Sequence, residues 1–67
     1  MPSVDVKVLA GVFNSDQKAK MIERMTDVMA EIEGEHMREK TWVTIQEIDV
    51  GSWGVGGKPV APETVKS

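Results

Sequence analysis

At 67 residues the chain has room for one domain, 1–67, and a domain of that size buries only about 60% of the surface its unfolded chain exposes, so a stable monomer is not expected. With no cysteine and one histidine, His36 in the charged run Glu33 to Lys40, disulfides and a zinc site are excluded and self-association is left as the remedy. A net charge of −3 with basic residues scattered among acids, no apolar run of bilayer length and no signal-like N-terminus argue against a nucleic-acid or membrane partner and for a cytoplasmic protein.

Pro2 stands directly behind Met1. If Met1 is removed, Pro2 becomes a free secondary amine held at the head of a strand. Otherwise it is only a proline in a permitted place, since a strand's first residue need not donate to the ladder. From Ser3 to Ala10 the residues alternate, with Val4, Val6, Val8 and Ala10 on one face and Ser3, Asp5, Lys7 and Leu9 on the other, which predicts a half-buried strand. Gly11 ends the alternation. Asn14 or Ser15 can then cap a helix, and Asn14 with Gln17 approximates a capping box.

From about Asp16 to Glu33 the apolar residues Met21, Ile22, Met25, Val28, Met29 and Ile32 fall at spacings of three and four, one stripe along a helix. Methionine serves both promiscuous grooves and adaptable cores, and the stripe is assigned to the core. Gly34 is placed to end the helix in a left-handed conformation, whereas Glu31, Glu33 and Glu35 are wrongly signed for a helix C-terminus.

Thr41 to Ile48 alternates again, with Val43 and Ile45 on one face and Trp42, Thr44 and Gln46 on the other. Strand, helix and strand predict a right-handed βαβ unit with parallel strands, hence an α+β fold class. One helix covers one sheet face, while the other, carrying Leu9, Trp42 and Ile48, is left open along with two strand edges, a second argument for self-association. Asp49 to Pro59 has four glycines between residues 51 and 57 and predicts a tight hairpin carrying Trp53 rather than a phosphate loop, because no helix pattern follows. Val60 to Ser67 is expected to drape on a neighbour or fray.

Pro2 behind Met1, Ser15-Asp16-Gln17-Lys18 opening the helix, and Gly51-Ser52-Trp53-Gly54-Val55-Gly56-Gly57 closing the chain together resemble the tautomerase superfamily, in its small 4-oxalocrotonate tautomerase type. The resemblance covers nearly the whole chain. It implies a homohexamer, a trimer of dimers in which two βαβ units form a four-stranded sheet. It also implies enol–keto proton transfer on a small-molecule substrate without a cofactor or metal, with Pro2 as the catalytic base. By the same resemblance Trp53 supplies an apolar wall of the pocket and Leu9 a backbone position in it. The two arginines that the family uses for the substrate carboxylate fall here on Val12 or Phe13 and on Trp42. Dicarboxylate recognition is therefore weakened. Lys40, Arg38 and Lys58 are the candidate replacements. Trp42 is either a wall for a flat apolar or aromatic substrate or a packing residue between subunits. These residues point to a tautomerase for a 2-oxo acid or related carbonyl compound with an apolar or aromatic body. The alternative is a non-catalytic oligomeric scaffold or small-molecule binding protein that lost the arginine pair.

Overall fold

A computed structural model describes residues 2–60 of the chain; the expectation for the last segment lies mostly outside them. The order is β1 (Ser3–Leu9), α1 (Ser15–Glu33), a 3-10 helix (Glu35–Lys40), β2 (Trp42–Ile48), a short 3-10 turn (Val50–Ser52), β3 (Gly54–Val55) and β4 (Lys58–Pro59).

β1 and β2 are parallel, in register from Ser3 opposite Trp42 to Leu9 opposite Ile48. One further backbone bond extends the ladder at each end: Trp42 N–H donates to the Pro2 carbonyl at 3.0 Å and Ala10 N–H to the Ile48 carbonyl at 2.8 Å. Val4, Val6, Val8, Val43 and Ile45 are half-buried, as the alternation requires. Glu47 shares their face, and its carboxylate accepts from Lys18 Nζ of α1 at 2.9 Å, which identifies that face as the one the helix covers. On the open face the Thr44 hydroxyl donates to Asp5 Oδ1 at 2.8 Å, across the pair that the register sets opposite.

The capping box at Asn14 is reciprocal: the Gln17 N–H donates to Asn14 Oδ1 at 2.8 Å and the Asn14 N–H to Gln17 Oε1 at 2.9 Å. Two otherwise unpaired donors at the helix start are thereby satisfied. Asn14→Ala is expected to lower stability by about 1 kcal/mol, read as a shift of the urea midpoint at fixed chain concentration.

α1 ends at Gly34, whose N–H donates to the Ala30 carbonyl at 2.8 Å. Its φ of 112° is positive, but its ψ of 144° is extended, so the expected left-handed helical ending is replaced by a conformation essentially reserved for glycine. The sign of the charges here also gains an explanation. Glu33 accepts from the Thr41 hydroxyl at 2.7 Å, and Glu35 lies in the first turn of the following 3-10 helix, where an acid is favoured. For Glu31 the structure offers no such account.

Among the described residues Ala30 alone is fully buried. The methionine stripe, assigned to the core from its spacing, is split. Met21 and Met29 are half-buried, whereas Ile22, Met25, Val28 and Ile32 are exposed, Ile32 by 78%. The helix rests on the sheet through an arc centred near Thr26, Ala30 and Glu33, and much of the apolar stripe is rotated off that arc. The hairpin is a tight antiparallel pair, Gly54 opposite Pro59 and Val55 opposite Lys58. Gly56 and Gly57 both take positive φ, 62° and 86°, the pattern of a primed two-residue turn. Val60 N–H adds a bond to the Trp53 carbonyl at 2.8 Å.

Candidate functional site

Two groups of residues are separated by the length of β1. At one end lie Pro2, Lys40 and Trp42: Pro2 is half-buried, its carbonyl is held by the N–H of Trp42, and Lys40 is exposed two positions before Trp42. The Trp42 side chain is 57% exposed and belongs to the open face of the sheet, since its neighbours Val43 and Ile45 take the other. At the far end Leu9 pairs with Ile48, and Trp53 follows across the Val50–Ser52 turn, half-buried, its N–H donating to the Val50 carbonyl at 3.3 Å. Seven residues of strand separate Pro2 from Leu9, roughly 23 Å. One copy of the chain therefore gathers Pro2, Lys40 and Trp42 and does not bring Leu9 or Trp53 to them.

Of the three cations considered as stand-ins for the absent arginines, Arg38 is committed elsewhere. Its Nε donates to Glu35 Oε1 at 2.6 Å and its Nη1 to Asp27 Oδ1 at 2.7 Å. The hydrogen bond from Arg38 holds the Glu35 carboxyl below the usual range, and the two acids raise the guanidinium further above its ordinary value. This network ties the 3-10 helix back onto α1. Lys40 stands at the Pro2 end, and Lys58 is exposed on the hairpin. Val12 is exposed and Phe13 half-buried in the loop after β1.

Glu47 was not singled out by its residue type, although an acid following Val43 and Ile45 on the apolar face of a strand is a visible exception to the alternation. Lys18 bonds to it, and the backbone N–H of Gly11 also faces it; hydrogen bonding and charge from Lys18, then the Gly11 bond, lower its pKa from 4.5. Through Lys18 it therefore fastens the first turn of α1 to the end of β2. Because the folded pKa is depressed, this stabilisation is complete above the ordinary value and is lost as pH falls through the folded one. Glu47→Gln is accordingly expected to show a stability deficit that is constant above pH 5 or so and shrinks below 4.5, measured by denaturation midpoints across that range.

Among the described residues there is no group of three or more His, Cys, Asp or Glu side chains placed to hold a metal ion. No helix of the described chain is long and apolar enough to cross a membrane.

The family model described as "Tautomerase enzyme" matches residues 2–62, from Pro2 through the hairpin. The chain belongs to the tautomerase family. Two solved structures share the fold of this tautomerase-family chain. The apo "unFused 4-OT" is 25% identical with a TM-score of 0.78, the match covering 88% of this chain and 93% of that one. DmpI from Helicobacter pylori is 28% identical with a TM-score of 0.76, over 88% and 90% respectively. A search among curated proteins returned no match. The parallel βαβ unit and the C-terminal hairpin are thus the tautomerase fold, and an isomerase-type enzyme is the activity to which the family belongs.

Proposed function

We propose that the chain is a cofactor-independent tautomerase acting on a 2-oxo acid or related carbonyl compound with an apolar or aromatic body, with Pro2 as general base once Met1 is removed. The free amine takes the enol O–H proton, the C=O bond forms as the C=C electrons move to carbon, and the protonated amine delivers a proton to that carbon. An α-amino group has a reference pKa of about 7.7–8.0, and an apolar setting disfavours its charged form. Trp42 and Trp53 would line the pocket, and Lys40 would face the substrate carboxylate.

The observation that carries this reading is the family match, which opens at Pro2 and includes Trp53. Since a strand's length separates Pro2 from Leu9 and Trp53 in one copy, the site is composite: Pro2, Lys40 and Trp42 from one chain, Leu9 and Trp53 from another. A homohexamer built as a trimer of dimers, each dimer joining two βαβ units into a four-stranded sheet, supplies the second chain and covers the open sheet face.

A second reading has its own support. The family's arginine positions hold Val12 or Phe13 and Trp42, which suits an oligomeric scaffold or small-molecule binding protein without catalysis. An intact mass of the native protein is the first test, because a retained Met1 makes the Pro2 nitrogen an amide and ends the base mechanism. With Met1 absent, enol–keto interconversion of phenylpyruvate by the parent chain decides between enzyme and scaffold.

A further inference from the structure

The hairpin that carries Trp53 sorts its side chains onto two faces. Val55 pairs directly with Lys58 and Gly54 with Pro59, and the bond from Val60 N–H to the Trp53 carbonyl sets Val60 opposite Trp53. Residues paired directly across an antiparallel ladder share a face, as do residues two apart along one strand. Trp53 has the extended backbone that this requires, φ −114° and ψ 113°. Trp53, Val55, Lys58 and Val60 therefore lie on one face, and Gly54 and Pro59 on the other. All the large side chains of the hairpin save the proline ring are on the first: an indole, two valines and one cation. Lys58 stands diagonally across the ladder from Trp53, a separation of roughly 7–8 Å that a long side chain spans. Among the described residues no ion pair uses Lys58, and Val55 beside it is 65% exposed.

We infer that Lys58 is a specificity-determining residue, pairing with an anionic substituent at the end of the substrate's body remote from the oxo acid. The inference rests on the proposed function, in which Trp53 is a wall of the pocket. There Lys40 comes with Pro2 from one chain and faces the carboxylate beside the reacting carbon, whereas Lys58 comes with Trp53 from the other. Lys58 lies nearer the turn of the hairpin than Trp53 does, so its ammonium group extends the indole wall. A flat body resting on the indole and the valines ends at the cation. The valines keep water from part of the ammonium group, so an ion pair here gains more than one on an open surface. Lysine is a point charge on a flexible stem. It therefore selects for negative charge at that end of the substrate, without the two-pronged geometry that an arginine imposes.

The probes are phenylpyruvate and 4-carboxyphenylpyruvate, which differ only in the remote carboxylate. The parent is expected to favour the second about tenfold in kcat/KM, and Lys58→Met to lose that preference through KM rather than kcat. Lys58→Arg should keep the preference to within about threefold, because the charge is retained, and Lys58→Glu should reverse it. A parent without the preference overturns the inference, and so does a Lys58→Met variant that keeps the parent's ratio, the result for a lysine that faces only solvent. The comparison is repeated without turnover, by calorimetry with phenylacetate and 4-carboxyphenylacetate. A parent that binds the dianion more tightly through Lys58 but converts neither oxo acid ends the proposed catalysis and leaves the anion site standing. Turnover of phenylpyruvate with no preference that depends on Lys58 supports the catalysis and removes the anion site.

Discussion

Replacing Pro2 with alanine is expected to lower kcat/KM for phenylpyruvate tautomerisation by about 10²- to 10³-fold, the lower part of the range that a positioned general base contributes. At 1.36 kcal/mol per tenfold this is about 3–4 kcal/mol of transition-state stabilisation. The loss is not expected to be complete, because the variant still begins with an amine after methionine removal. That amine is primary and free to rotate, whereas the pyrrolidine ring fixes the direction of its nitrogen. The variant is a fair probe of chemistry because the contact that Pro2 makes in the fold is a backbone one: its carbonyl accepts from Trp42 N–H, and alanine retains that carbonyl. Stopped assays on matched oligomers give the comparison. Equal rates in parent and variant would remove the base and leave the scaffold reading standing.

The second large effect is expected at Gly34. A side chain there would hold φ near 112° with ψ near 144°, a region open essentially to glycine alone, at a cost of about 1–3 kcal/mol. A Cβ at this position would also come within 2.7 Å of the His36 ring, but His36 is exposed and its ring can swing aside, so the backbone dominates. Two controls separate the causes. Gly34→Asn, which rescues true left-handed helix ends, should be no better than Gly34→Ala. Adding His36→Ala to Gly34→Ala should recover little. The readout is the denaturation midpoint at fixed chain concentration, and a Gly34→Ala chain as stable as its parent would contradict the strain argument. Gly34 joins α1 to the 3-10 helix that leads into Lys40 and Trp42, so the same substitution disturbs the Pro2 end of the sheet.

How far the fold was legible depends on whether its signal is local. The strand and helix limits were, since alternation at Val4, Val6 and Val8 and the Asn14–Gln17 box are properties of neighbouring residues. The 3-10 helix at Glu35–Lys40 was not. Its residues have no apolar period, and its shape is held by Arg38 reaching Asp27, eleven positions earlier. The stripe on α1 was legible as a face but not as a location. Spacing says that Met25, Val28 and Ile32 point together; it does not say whether they meet this chain's sheet or something else, and small Ala30 proved to be the residue pressed closest. The candidate site divides in the same way. Pro2, Lys40 and Trp42 collect at one strand end because parallel register puts them there, whereas the separation of Leu9 and Trp53 from them follows from three-dimensional distance that no motif encodes.

With Ala30 as the one fully buried residue among those described, solvent accessibility in a single copy is a poor guide to which substitutions this chain tolerates. In a protein with a large core, an isoleucine exposed like Ile32 is a free position, open to drift toward a polar residue. Here so little burial is internal that the apolar groups left outside are the main reserve of stabilisation the sequence holds. A polar replacement at Ile32 or Val28 would improve the solubility of the isolated chain while removing what makes a chain of this size worth folding.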